Sequence, residues 1–563
     1  MKNKYALFFI LFLLVLASCK KSLLNQVDPN QPSPAASLNS EGGLVAYGAG
    51  ILQRVIFPVP NEGNSNILTV AMINQSILGD ENFVAYGNYG FRWVDQALQT
   101  TLPDGTIIPN FFGVSQQVSL QGFNSRQAGD RNAFQFEWTV CYFFISQANT
   151  MLKALGDPAV QYTSGNATIK KATLQAWSYW WKGYSYSRLG SMYLGGVINN
   201  DPGNGNTNPA FVDHNALISE ADKNFDSCAA ALAVIDPGGD DDYNNLMENL
   251  ILSFNDNTDI VTPAMWLDQI NTYKARNLLV NKKLKDMGQA DWQQIIDWCN
   301  KGLTANDYYF KFGMEPDGVN DLSNSFLHPL ELAGPGAQNW VFTSERLIQD
   351  FKPGDKRFSK NFEMLPAPDP NNPDNQDPYF GLNAFSSLAG RGVLFGTRWA
   401  PIPIENGGAY ATGANQGFIP FACTYEENAL MLAEAYIQTG NTDQGLDYVD
   451  QVRGYQNAGL AAVSGTGLNL DQAKEELRRE RRIGLYTRGL AFFDARRWGV
   501  TAAAADGGGR ANAIVYVPGQ FLNSAQDQAL PCFIEYDYMD YWDVPQNELD
   551  FNSPATGSPS VKN

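Results

Sequence analysis

Of the six cysteines in the chain, Cys19 is the one whose neighbours prescribe a reaction. Lys2 and Lys4 make a short basic start, Tyr5 to Val15 is almost uninterruptedly apolar, and the run closes on Leu16-Ala17-Ser18 directly before Cys19. This run is shorter than the roughly 20 apolar residues that span a bilayer, and it has the layout of a secretory signal. Small residues followed at once by cysteine form the pattern of a lipobox. A thiol there can take a thioether-linked diacylglycerol, and signal removal frees an amine for a further acyl chain. Each buried methylene contributes about 0.8 kcal/mol, so two or three chains hold a domain on a membrane durably. Residues 1–18 are therefore read as a lipoprotein signal peptide and Cys19 as the lipidation site. An ordinary secretory signal with a chance cysteine is the plainer alternative.

Elsewhere the residues that do chemistry are sparse. Cys141, Cys228, Cys299, Cys423 and Cys532 are scattered with no close pairs, which is neither a disulfide framework nor a metal-binding spacing. They read as small buried hydrophobes. His214 and His328 are the only histidines, so no histidine cluster can hold zinc and no HExxH motif occurs. A Ser-His-Asp triad would have to recruit one of those two. There is no GxxxxGK[ST] loop and no GxGxxG between a strand and a helix. Asp369, Asn371, Asp374 and Asp377, like Asp240 to Asp242, crowd oxygen ligands of the kind calcium takes. Neither group has the D-x-[DN]-x-[DN]-G spacing, so solvated loops are preferred and no cofactor or metal is assigned.

The elements that would position a site are mainly helical. Apolar residues recur at three- and four-residue spacings over Phe134 to Leu155, Lys170 to Leu194, Asn215 to Val234, Pro263 to Met287, Asp291 to Leu303, Tyr425 to Gln438 and Thr442 to Arg453. Pro237-Gly238-Gly239 and Gly440-Asn441 punctuate them. Long polar stretches rich in glycine and proline lie between, notably Asn199 to Asn208, Asp236 to Asp242 and Pro366 to Pro378, and Pro353 to Gly417 has little helical period. The last pair of helices, joined by Thr439-Gly-Asn-Thr442, with Ala433 and Ala435 small enough for close contact and Gly445 near the start of the second helix, resembles one tetratricopeptide hairpin. The predicted fold is mostly α: tetratricopeptide-like helical hairpins with long irregular loop insertions. Cys19 to about Ser40 reads as a polar tether. The arginines of Arg478-Arg479 and Arg481-Arg482 follow Glu475-Glu476 at ion-pair spacing and read as a helix surface.

The 563 residues carry a formal net charge of −19, and the loss of Lys2 and Lys4 with the signal would make it more negative. Such a surface repels polyanions, which argues against nucleic acid and sulfated glycans as main ligands.

The segment Glu480-Arg-Arg-Ile-Gly-Leu-Tyr-Thr-Arg-Gly-Leu-Ala-Phe-Phe-Asp-Ala-Arg-Arg-Trp-Gly499 resembles a signature of the SusD/RagB family, surface nutrient-binding lipoproteins of the Bacteroidota. The family pattern is roughly E-R-R-x-E-L-x-x-E-G-x-R-x-x-D-L-x-R-W-G. Glu480, Arg481, Arg482, Leu485, Gly489, Asp494, Arg497, Trp498 and Gly499 match it. Gly484 and Arg488 stand at its later glutamate positions and Ala491 at the arginine that follows, which implies rewired structural ion pairs. Ala176 to Gly195, Asp355-Lys-Arg357, Thr424 to Ala435, Val452-Arg453 and Pro545-Gln546-Asn-Glu548-Leu549 with Asn552 resemble other family stretches in order and spacing. The resemblance implies one SusD-like domain over 41–563, with its irregular ligand-binding insertions mainly at about 304–420. It implies a lid for a SusC-like TonB-dependent transporter, lipid-anchored in the outer membrane and facing the cell exterior. Relatives often carry acids just after the lipidated cysteine, whereas Lys20-Lys21-Ser22-Leu23 follows Cys19 here.

Such a family binds oligosaccharides or polysaccharides without catalysis. Rings give rigid stacking area and a few polar groups fix orientation. Trp177, Trp181 and Tyr184 recur at helical spacing and read as core, as do Trp292, Ile295, Ile296 and Cys299. Loop aromatics with polar neighbours are the candidates: Tyr86, Asn88, Tyr89 and Trp93 in one cluster, Asn339 and Trp340 in a second, and Trp399 in a third. Two other readings remain open. One is a surface glycoside hydrolase using two carboxylates about 5–10 Å apart, and the other is a lid whose cargo is peptide.

Overall fold

Several of the helices begin where a side chain accepts their first free amides. The computed structural model describes residues 38–56, 67–84, 88–110, 113–201, 207–251, 259–314, 341–364, 397–413 and 416–563. Its longer helices are α1 Glu41–Ile56, α2 Ile67–Leu78, α3 Gln116–Phe123, α4 Phe134–Leu155, α5 Ala167–Met192, α6 His214–Leu232 and α7 Asp241–Ile251. They continue with α8 Pro263–Val280, α9 Gln289–Cys299, α10 Tyr425–Gln438, α11 Thr442–Tyr455, α12 Leu470–Gly484 and α13 Ala491–Arg497. Asn166 caps α5, Asp213 caps α6, and Thr262 caps α8 with Pro263 in its first turn. Asn469 and Gln472 form a reciprocal capping box at α12, each bond 3.0 Å.

Helices α4 to α6 and α8 to α11 pack as successive antiparallel pairs, the tetratricopeptide-like arrangement that the periodicity predicts. Small residues set the spacing. A side chain at Gly445 in α11 would meet the Ala433 carbonyl of α10 at 2.6 Å, and one at Gly183 in α5 would meet the Phe225 ring of α6 at 2.6 Å. Trp177, Trp180, Trp181 and Tyr184 on α5 are buried, with Phe310 and Phe421 packed on the tryptophans. Trp292, Ile295, Ile296 and Cys299 pack with Met431 and Ala435 in a smaller cluster. The five described cysteines are all buried, and burial raises their thiols above the usual range.

Two expectations are corrected. Asp240 to Asp242 do not form a solvated loop. Asp240 accepts from the Tyr243 amide at 2.8 Å and α7 begins at Asp241, where carboxylates favour the positive end of the helix dipole. Nor is the arginine run wholly a surface. Arg479 does pair with Glu475 at 2.8 Å, but Arg481 and Arg482 are buried. The β content was not foreseen. The largest sheet is four-stranded and antiparallel, in the order β12 (Arg510–Val517), β13 (Gln528–Glu535), β2 (Gln99–Thr101), β3 (Ile107–Pro109).

The signature around α12 is a charge lattice. Successive residues on a helix point about 100° apart, so Glu480, Arg481 and Arg482 reach three different neighbours. Glu480 accepts from Arg357 and from Arg453 of α11. Arg481 bonds Asp494 of α13 at 2.7 Å, and Asp494 with Glu434 of α10 also holds Arg497. Arg482 pairs with Asp350 at 2.8 Å and donates to the carbonyls of Gly79 and Asp80. At the C-terminus Asn552 donates to the Asn208 carbonyl and to Glu548, both at 2.9 Å. Asp494→Ala would leave two buried guanidiniums facing Glu434 alone. We expect it to cost about 3–5 kcal/mol in urea unfolding, and a loss under 1 kcal/mol would show the lattice to be dispensable.

Candidate functional site

Short strands bring the insertions together. Strand β1 (Asn82–Val84) pairs antiparallel with β7 (Val341–Thr343), Val84 opposite Val341. Strand β7 packs on β9 (Trp399–Pro401), which pairs with β8 (Phe362–Met364). The three aromatic segments singled out in the sequence are therefore attached to one group of strands. Tyr486, after α12, donates to Asn82 of β1 at 2.8 Å and packs on Phe362 of β8.

Beside Tyr486 opens a cavity of about 530 Å³ between the α10–α11 hairpin and the insertions. Its aromatic walls are Tyr309, Tyr410, Phe418 and Tyr455. Tyr455 is 47 % exposed and braced edge-on by Tyr425, ring centroids 5.0 Å apart. The charged groups are Lys311, Arg357, Lys360, Glu426 and Arg488. Lys311 pairs with Asp259 at 2.5 Å and lies over the Phe418 ring at 4.4 Å. Arg488 lies over Tyr410 at 4.9 Å and pairs with Glu426 at 3.5 Å. Glu426 also accepts from Gln456 at 3.2 Å, and Gln456 accepts from Arg357 at 2.8 Å. Burial raises the Tyr309, Tyr410 and Tyr455 phenols above their usual range, so each stays a neutral hydroxyl at neutral pH. Arg488 thus shows the rewiring implied by its position: where the family pattern has glutamate, an arginine meets Glu426.

Two adjacent acids behind this wall titrate in opposite directions. Burial raises Asp80, but Arg346 at 2.7 Å together with Arg510 and Arg482 outweighs it and holds the carboxyl well below the usual range. Glu81 is fully buried, and burial lifts it to about 8 against the weaker pull of Arg482 and the Thr487 amide. Both its oxygens lie 3.2 Å from that amide, so Glu81 helps to seat the Tyr486–Thr487 turn of the cavity wall.

The residues proposed from sequence fare differently. Trp93 is 2 % exposed, packed against Phe123 at 4.2 Å with Arg92 over its ring, so it offers no open face for stacking and is corrected to core. Tyr89 is half-buried against Phe91 and Phe136. Asn88 begins the short helix over 88–90, and Tyr86, Asn339, Trp340 and Cys19 lie outside the described residues. Trp399 is half-buried and sits edge-on to Phe358 at 4.9 Å, joined through Phe358 and Phe362 to Tyr486. Tyr309, Tyr410, Tyr455, Glu426 and Arg488 were missed. Their one visible signal was that Tyr309, Tyr410 and Phe418 fall in the insertion range of about 304–420, whereas Glu426 and Tyr455 lie on helices, where aromatic and charged residues read as scaffold.

Residues 425–556 match the model of the SusD family. A SusD-like carbohydrate binding protein from Bacteroides fragilis is similar in structure, with a TM-score of 0.56, 14 % identity, 92 % of this chain and 99 % of that chain covered. A SusD superfamily protein from Bacteroides vulgatus matches with a TM-score of 0.50, 14 % identity and coverage of 91 % and 97 %. A SusD-like carbohydrate binding protein from the same species has a TM-score of 0.50, 13 % identity and coverage of 90 % and 92 %. No curated protein matches the chain at a significant level. At these identities the structural likeness is one of fold. Residues 425–556 carry the SusD/RagB signature, and the described residues share the fold of the SusD-like structures.

Glu81 makes the native state less stable as pH rises from acid towards neutral. Below its ordinary value of 4.5 it is protonated in both states. Between there and about 8 the unfolded chain loses the proton while the folded chain keeps it, so stability falls across that window and levels off above it. Glu81→Gln is expected to raise Tm relative to the unaltered chain at pH 8.5 and to change it little at pH 4.5. Equal shifts at both pH values would remove Glu81 as the source.

Proposed function

We propose that this chain is a cell-surface lipoprotein that binds oligosaccharides and passes them to a SusC-like TonB-dependent transporter. The observation that carries the reading is the cavity at Tyr455. It combines an open, braced ring on the α10–α11 hairpin with the exposed polar side chains of Lys360 and Asn457, the pairing of stacking area and hydrogen bonds that sugars require. The SusD signature and fold support it, as does the description of two similar structures as carbohydrate binding proteins. Capture without hydrolysis is the activity proposed. The Leu16-Ala17-Ser18-Cys19 sequence supports attachment to the outer membrane through acyl chains. Among the described residues no helix is long and apolar enough to cross a membrane.

The test is a binding screen of residues 20–563, which include every described residue, against plant, fungal and host glycans, with product analysis of each incubation. Saturable binding of an intact glycan is expected. Tyr455→Ala should weaken it about tenfold, the loss of one stacking contact of about 1.4 kcal/mol, with Tm unchanged. Binding unaffected by Tyr455→Ala would move the site towards Trp399. Saturation by peptides and by no glycan would establish peptide cargo, and glycan cleavage would establish a hydrolase.

A further inference from the structure

Arginines gather round a cavity of about 370 Å³ between α12, α13 and the start of β12, which shares no lining residue with the tyrosine-walled cavity. Arg478, Arg479 and Arg482 of α12 and Arg510 of β12 line it, with Glu475 as the one carboxylate among them. Asp350 is bonded by Arg478 at 2.7 Å, Arg482 at 2.8 Å and Arg510 at 3.4 Å. Arg510 shares Asp80 with Arg346, on which Glu345 also acts. The other carboxyls that act on these arginines, Glu81 and Asp95, are raised by burial towards the neutral acid. Five arginines thus face four carboxylates, Asp80, Glu345, Asp350 and Glu475, which leaves one positive charge in excess on a chain of net charge −19. The excess is felt at Arg510, which burial and the neighbouring Arg482 hold below its usual range.

Arg479 presents that charge. Its side chain is 34 % exposed, and only Nε is engaged, donating to Glu475 at 2.8 Å. Nη1 and Nη2 meet no acceptor among the described residues, which leaves a pair of donors that matches the two oxygens of one acid. Ala491 and Ala495 of α13, Trp498 and Val500 supply an apolar part of the lining. The Trp498 ring is half-buried and fixed, with Nε1 donating to Glu434 at 3.3 Å and Arg497 over it at 4.7 Å. A bulge between Arg510 and Ala513 puts Asn512 in left-handed backbone at φ 52°. Asn512 lines the cavity, is exposed, and has no partner for its side-chain amide among the described residues.

We propose that this cavity binds an N-acylated apolar amino acid through its free carboxylate, with the acid on Arg479, the side group against Trp498 and the two alanines, and the ligand amide on Asn512. Charge favours a carboxylate over a phosphate, since one positive charge is in excess and Glu475 beside it would repel a dianion more strongly. The volume suits one ring-sized group with its acid, and the apolar lining gives that group a place out of water. A small N-acyl acid and the C-terminal residue of a peptide share this chemistry. The site does not rest on the function proposed for the tyrosine-walled cavity.

Calorimetric titration of residues 20–563 at pH 7 with N-acetyl-L-phenylalanine, its uncharged amide and acetate tests the proposal. The N-acetyl acid is expected to bind at least about tenfold more tightly than either of the others, a difference of about 1.4 kcal/mol. Arg479→Gln should bring it down to the level of the amide with Tm unchanged, since an exposed pair such as that with Glu475 contributes little to stability. Asn512→Gly, which suits the positive φ, should weaken acid and amide alike by about threefold. Should Arg479→Gln fail to fold, added salt carries the test on the unaltered chain: it must weaken the acid and leave the amide unchanged. Alanyl-alanyl-phenylalanine binding as tightly as the acid would identify a peptide terminus as the source and weaker binding a small acid, and either sustains the proposal. No saturable binding of N-acetylphenylalanine, equal binding of its amide, or affinity indifferent to both Arg479→Gln and salt would overturn it.

Discussion

Buried guanidinium–carboxylate pairing around α12 is the constraint on which the rest of the structure depends. Asp350, Glu480 and Asp494 are almost wholly removed from water, and each is met by two or more arginines. A charge in such a place is tolerated only when its partners arrive in good geometry, since desolvation rivals the Coulombic gain. The lattice therefore forms as a whole or costs stability as a whole. Its members come from α10, α11, α12, α13, the 346–357 segment and β12, so satisfying the charges fixes how the helical repeats meet the insertions.

The tyrosine-walled cavity is a by-product of that junction. Arg357 faces Glu480 and Asp355 inward while lining the cavity on its other side, and Tyr486 follows α12 directly. Glu426 and Arg488 extend the same kind of pairing to the wall itself, beside an open ring at Tyr455. A ligand would meet groups already oriented by the scaffold, so little ordering entropy would be lost on binding.

Much of the helical scaffold was legible. Phe134 to Leu155 and Tyr425 to Gln438 have the observed boundaries, because apolar residues recurring every three or four positions are a local property of the chain. The same periodicity assigned Trp177 and Trp181 to the core. It could not show that Trp93 is buried, because a ring in an irregular segment has no period and its environment is supplied by Phe123 and Arg92. The β12–β13 hairpin escaped for a related reason: its partner β2 lies some 430 residues earlier, at Gln99 to Thr101 opposite Glu535 to Phe533.

The family signature, the repeat helices and the apolar run ending at Cys19 are legible from the chain alone, because each rests on residues close in sequence. That Glu480, Arg481 and Arg482 each serve a different neighbour, and that Tyr309, Glu426, Tyr455 and Arg488 share one wall, is settled by the packing of distant segments alone. Those facts depend on which distant side chains exclude water from a charge, and burial of that kind is not written in local spacing.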